Sequence, residues 1–414
     1  MGLSLPRLGP LLGTGLIIVA CSTAPSPGPA SAPPAASSLL TPSPSASAPA
    51  TTAPAAPTAA PTASPTPAVA AWTTTAAMAS THAAHTATLL ADGRVLVTNG
   101  GESEVAEVYD PVADTWSVTG EIPGGRVYHT ATLLADGRVL VAGGTDGRTG
   151  LPSTSAVLYD PASGTWAETG SMRESRARHA AALLPDGRVL VAGGAIDPDG
   201  EGVLASAEIY DPRAGTWTAT GAMSFARSAH PAVVLPDGRV LVVGGVGVFV
   251  SPIDSVALAS AEVFDPRAGT WTSTADLAEA RFGHTATVLS DGRVLVAFGS
   301  PGFGDALASA EIYDPGRDAW DSVAGGDARI DHVATRLPDG SVLVTGGSRD
   351  EVLLTLAERF DPTRDAWMTT VPPPAGREDA TATLLADGRV LVVGGRTTDE
   401  AALTADIYQP GSEP

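Results

Sequence analysis

The sequence predicts an all-β fold: a closed seven-bladed β-propeller of the kind built from four strands per blade, with an N-terminal strand completing the last blade. Three observations predict it. The string HTATLLADGRVLV at His85–Val97 recurs at His129, His179, His230, His284, His332 and, with alanine in place of histidine, Ala380. The turn aspartates of these repeats, Asp92, Asp136, Asp186, Asp237, Asp291, Asp339 and Asp387, follow one another at 44, 50, 51, 54, 48 and 48 residues. That is the period of a propeller blade, and no window between the strand signals is long enough for a crossover helix. Finally, a tryptophan precedes the turn aspartate by 20 residues in six repeats and by 19 in the other, at Trp320 and Asp339. Trp72 obeys this offset although no repeat comes before it, and the last repeat reaches Tyr408 with no tryptophan after it. The counts of strands match only if the Trp72 segment completes the last blade, and closing the ring removes the free sheet edges of an open array.

Each repeat justifies four strands in order. Strand a is the TATLL segment, whose alternating apolar residues suit a half-buried strand, and an Asp-Gly pair turns it tightly into strand b, RVLV. Strand b ends in a glycine pair (Gly143 and Gly144, Gly193 and Gly194, Gly244 and Gly245) where the backbone passes close to a neighbour or takes a positive φ. A loop of variable length leads to strand c, as at Ser206–Tyr210, and an Asp-Pro corner starts the turn to strand d, which carries the tryptophan. The tryptophans Trp116, Trp166, Trp217, Trp271, Trp320 and Trp367 each follow the aromatic residue of strand c by seven positions, and with Trp72 they are structural.

Two segments precede the ring. Residues 1–21 read as an export signal: Arg7, an apolar stretch too short to span a membrane, and then Ile18-Val19-Ala20-Cys21. This end resembles a bacterial lipobox, which implies lipidation of Cys21 and a protein anchored to a membrane, not spanning it. A plain secretory signal with a chance cysteine is the other reading. Residues 22–70 hold 13 prolines among 49 positions and no charged or aromatic side chain, so they are expected to be a disordered linker. Stiffened toward polyproline II, it would reach about 150 Å at ~3.1 Å per residue. The propeller is expected over 71–410.

The Gly-Gly pair, the Tyr-Asp-Pro corner and the tryptophan at these spacings resemble the kelch repeat over essentially the whole of 71–410. Departures are Phe298-Gly299-Ser300 in place of one glycine pair, Val157 where strand c carries glutamate, and Phe264 for tyrosine. The superfamily includes the galactose-oxidase-like enzymes, whose copper is held by two histidines and two tyrosines, one tyrosine cross-linked to cysteine. The single cysteine of this chain is Cys21, so the resemblance does not extend to that cofactor, and neither cofactor nor metal is expected. The recurring histidines sit one per blade around a wide ring, which suits structural hydrogen bonding better than a shared metal.

Composition narrows the function. The 24 basic residues, all arginine, stand against 45 acidic ones, a net charge of −21 that argues against nucleic-acid binding and against resting on anionic lipid. The short a–b and c–d turns vary little between blades, so the partner face is expected on the opposite side, among the b–c loops and d–a connections. Candidate ligand-binding residues there are Phe249, in an apolar loop, and Arg126, Arg176, Arg227, Arg281, Arg329 and Arg377, each three residues before the histidine position. A ring of arginines at the channel mouth would draw acidic groups; the plainer alternative pairs each with a strand-c acid such as Glu208, Glu262, Glu311 or Glu358. The expected protein is an exported, lipid-anchored, monomeric binding or scaffold module at a bacterial cell envelope, with a protein or glycan ligand. Its contact with the membrane is expected through the lipid alone. A carbohydrate-active or oxidase-like enzyme on the same fold is the alternative.

Overall fold

The computed structural model describes residues 69–411, apart from 101–102, 148, 198–201, 248–256, 303–304 and 398–401. The leader, Cys21, nearly all of the linker and the apolar-loop residue Phe249 lie outside the described residues. Within them the chain forms strands and turns, with no helix. Seven four-stranded antiparallel sheets make the blades. In blade 3, strands a to d are Ala180–Leu183, Val189–Ala192, Ala207–Asp211 and Thr216–Ala219, and the other blades repeat this order. The closing blade takes strands a to c from Thr381–Leu384, Val390–Val393 and Ala405–Gln409, and strand d from Ala71–Thr74. Trp72 lies opposite Tyr408 in register, as Trp217 lies opposite Tyr210 elsewhere, and the Trp72 and Tyr408 rings are 5.1 Å apart. The bookkeeping that called for ring closure is met at that pair.

Strand a of every blade packs against strand a of the next, and the last, Thr381–Leu384, packs against the first, Thr86–Leu89, so the seven inner strands enclose a channel. The core is therefore not one body. Seven apolar layers each lie between two neighbouring blades. The b strands, such as Val240–Val243, are buried on both faces, which explains their unbroken apolar run.

The glycine pairs sit where blades meet. A side chain on Gly143 (φ 61°) would place its Cβ 2.5 Å from the Arg176 carbonyl oxygen of the next blade and 2.7 Å from the His179 ring. Phe298 occupies the equivalent position with φ 59° and is fully buried. The seam admits it because the residue that packs there in other blades, Met172 or Met223, is replaced by Gly326. A Cβ at Gly326 would lie 2.9 Å from the end of the Phe298 ring. The departure in the repeat is thus one half of a large-for-small exchange across a seam.

Each a–b hairpin is closed by a three-residue loop, as where the Leu90 amide donates to the Arg94 carbonyl and Gly93 takes φ 88°. The turn arginines reach the Pro corner of the following blade, and Arg389 donates to the Pro111 carbonyl across the closure. This face carries a shallow cleft lined by Asp136, Arg138, Asp186, Arg188 and Arg213. Its Asp136 and Arg138 are paired at 2.7 Å.

Candidate functional site

The six arginines expected at the channel mouth are buried, each at 3% exposure or less, and they form no ligand-facing ring. They are clamps between strands. Arg227 donates from Nη1 to the carbonyls of Gly244 (2.8 Å) and Ser260 (2.9 Å) and from Nη2 to Glu262 (3.1 Å). Arg176, Arg281, Arg329 and Arg377 repeat the arrangement with Glu208, Glu311, Glu358 and Asp406. The physical reason is the orphaned carbonyls. Backbone that leaves strand b at the glycine pair has lost its ladder partners, and a five-donor guanidinium satisfies several acceptors at once. The acids finish the clamp by accepting from the d–a backbone, as Glu262 does from Ser224 N (2.7 Å) and Phe225 N (3.1 Å). In blade 1 the arginine position holds His82, whose Nε2 lies 2.9 Å from Glu107. In blade 2 strand c has Val157, and Arg126 instead bonds the carbonyls of Pro123, Gly143 and Ser155 and feels the charge of Asp146.

The repeating histidines stitch neighbouring inner strands. Nε2 of His129 meets Thr98 and Thr86, and His179, His332 and His85 meet Thr130, Thr285 and Thr381 of the preceding blade. Where that threonine is Ala180, the partner is lost, and neither ring nitrogen of His230 has one. The last seam has lost both halves, with Val333 and Ala380 in place of threonine and histidine, and a small cavity lined by both lies there.

One residue before each histidine position the chain turns into the left-handed region, with φ between 51° and 61° in all seven blades. These positions are Ala84, Tyr128, Arg178, Ala229, Gly283, Asp331 and Asp379. The amides of Tyr128, Arg178, Ala229 and Asp331 each donate to the carbonyl of the same position one blade earlier, so the positions form a belt at the channel mouth. Their identity is the signal that sequence reasoning passed over: both positions between an almost constant arginine and an almost constant histidine vary, and this one does so while holding one left-handed backbone conformation. Six of the seven hold a non-glycine residue in strained backbone, a feature that accumulates at functional sites.

The polar members of the belt gather on the loop face. The Arg178 guanidinium lies 4.2 Å above the Tyr128 ring. Arg396 pairs with Glu378 at 2.5 Å and approaches Asp379 at 3.4 Å. Asp331 is 6% exposed, and its Oδ1 has no hydrogen-bond partner. Burial, then the charge of Asp379 and of Glu378, raise its carboxyl well above the usual carboxylate range, against the pull of Arg396 and Arg178. The same face carries the exposed apolar side chains Leu151, Ile196, Val352 and Leu403 in b–c loops and Phe225 in a d–a connection.

A seven-fold ring of such blades defines a kelch-type propeller, and comparison with known proteins agrees. Residues 84–300, just over half of the chain, match the model of the KLHDC2/KLHL20/DRC7 Kelch-repeats domain, and the chain belongs to that family. Human (Homo sapiens) Kelch-like protein 34 is 36% identical over 107 residues, which span 26% of this chain and 16% of that protein. A fungal alcohol oxidase of the AA5 family, solved in complex with copper, shares the fold with a TM-score of 0.68 at 20% identity, over 83% of this chain and 76% of that one.

The residues here do not fit copper. The recurring histidines sit singly at separate seams, four of them bonded to threonine, and among the described residues no three His, Cys, Asp or Glu side chains are grouped to hold a metal ion.

Proposed function

We propose that this protein is an exported, lipid-anchored kelch propeller that binds an envelope protein or glycan on its loop face, without chemistry of its own. The observation that carries this reading is the contrast between conserved geometry and free identity at the channel mouth. The belt keeps one backbone conformation in all seven blades while its side chains differ, and the clamps beneath it are buried with their Nη groups bonded to internal partners. Side chains that no repeat requires are left to specify a ligand. The exposed apolar residues on the same face support it, since scattered polar surface would suffice for a spacer. The lipobox-like Cys21 and the proline-rich linker support attachment at the envelope.

The test is cross-linking on intact cells with the full chain. Replacing Leu151, Phe225 and Val352 together by serine is expected to abolish the cross-linked partner, while Val112→Ser, in a c–d turn on the opposite face, keeps it. Equal yields from both variants, or turnover of sugars or alcohols by the purified protein, would overturn the reading. Cys21→Ser is expected to move the protein out of the membrane fraction.

A further inference from the structure

We infer that the channel mouth is a receptor for a cationic side chain, a lysine ammonium presented by a polypeptide partner, held by Asp331 and Asp379. This rests on the binding reading above and names the chemistry of its ligand. Four observations carry it. Asp331 and Asp379 occupy the same belt position in adjacent blades, near enough for the charge of one to act on the other, and they are the only acidic residues of the belt. The Oδ1 of Asp331 is buried without a partner. It lies over the only glycine of the belt: a Cβ on Gly283 would stand 2.8 Å from that oxygen and 2.3 Å from the Ile330 side chain, so any larger residue there would press on both. Beneath the pair, Ala380 and Val333 replace the histidine and threonine that meet at four of the other seams, and Asp331 lines the cavity they leave.

A buried acceptor with no donor costs free energy that an incoming N–H donor recovers, and a charge-assisted bond recovers most. An ammonium carries three donors on a compact head and would bring a charge-assisted donor to the unpartnered Asp331 oxygen. The cations already present are committed: Arg396 bonds Glu378 and pairs with Asp379 at 3.4 Å, and Arg178 lies on Tyr128, so neither reaches the Asp331 Oδ1 with a hydrogen bond. An anionic ligand would meet Asp331, Asp379 and Glu378 together and be repelled. A polypeptide is favoured over an amino sugar because the exposed side chains of the same face, such as Leu151, Phe225 and Val352, are aliphatic or aromatic.

Binding should also depend on pH. The groups that act on Asp331 are Asp379 and Glu378, which hold its proton on, and Arg396 and Arg178, which favour its loss. Since an ammonium prefers the ionised carboxyl, affinity should rise as pH increases through the titration of Asp331.

The experiment is fluorescence anisotropy on the full chain with three labelled peptides of equal length, centred on lysine, Nε-acetyl-lysine or glutamate between leucines, and with chitosan oligomers as competitor. The lysine peptide is expected to bind, more tightly at pH 8 than at pH 5. At least tenfold is expected to be lost on acetylation, in Asp331→Asn and in Asp379→Asn, but not in Asp291→Asn on the opposite face. Asparagine tolerates the left-handed backbone, so the fold should persist, and the far-ultraviolet spectrum checks it. No binding of the lysine peptide, equal binding of its acetylated form, or undiminished binding by both variants would overturn the inference. Complete displacement by chitosan at lower concentration than by unlabelled lysine peptide would overturn the choice of a polypeptide. If Asp331→Asn keeps the cross-linked partner that the loop-face triple variant loses, the cation receptor fails while the binding reading stands.

Discussion

Blades 2 and 4 contain the same arginine at the same turn, bonded to the same two carbonyls, yet one clamp has an acid in strand c and the other a valine. In blade 4, Glu262 takes the Arg227 guanidinium and two backbone amides, those of Ser224 and Phe225. In blade 2 the position of Ser224 is held by Pro123, which has no amide hydrogen, and the position of Glu262 by Val157. The proline removes a donor and the valine removes its acceptor. Blade 7 takes an intermediate course, with Pro374 at the corresponding place and the shorter Asp406, which accepts from Arg377 and Thr74. The carboxylate is thus retained chiefly where d–a amides would otherwise be buried unpaired, and the arginine is retained for the carbonyls.

The largest expected effect is the one the two blades share. Burial, the principal cause, holds His129 and His284 down at about 3 and His85, His179, His230 and His332 well below the ordinary value. The unfolded chain takes up these protons near pH 6.5 while the folded ring refuses them. Their contribution is complete above 6.5 and is lost as pH falls toward 3, at roughly 1.4 kcal/mol per pH unit for each group. Thermal unfolding followed by circular dichroism should show Tm dropping steeply between pH 7 and 5, and a flat profile would contradict the burial of the imidazoles.

The clamps come next. Glu262→Val leaves a buried cation and two amides without their acceptor and should cost ~3–5 kcal/mol in urea denaturation. Adding Ser224→Pro to that variant copies blade 2 and should return about 1 kcal/mol, a coupling that strict additivity would not give. The reverse change, Val157→Glu, should gain less than about 1 kcal/mol, because Pro123 offers it no amide. Smallest of all, Ala180→Thr gives His230 the hydroxyl that His129, His179 and His332 already have, worth ~0.5–1.5 kcal/mol.

Repetition made the architecture readable from residues alone. Seven turn aspartates and an unmatched Trp72 were enough for the blade count and the closure, because each is a local constraint copied through the chain. The same repetition misled at the site. Arg126 and its five counterparts stand out in the sequence because every seam needs them, and that need is internal. Asp331 and Asp379 do not stand out, since a lone aspartate before His332 or Ala380 has no pattern to belong to. Only the ring brings them side by side. Phe298 and Gly326 make the same point for packing, since their exchange joins positions 28 residues apart in sequence and is visible only across a seam.

The strand that seals the ring, Ala71–Thr74, follows directly on the proline-rich segment and is held by four register pairs to Ala405–Gln409. Any tension carried along that segment therefore arrives first at the seal, not at a blade closed by its own hairpins. The molecule has a built-in weakest link under load. Pulled from its N-terminal side, it should yield there before any other sheet, with Trp72 withdrawn from Tyr408 and the ring converted to an open crescent.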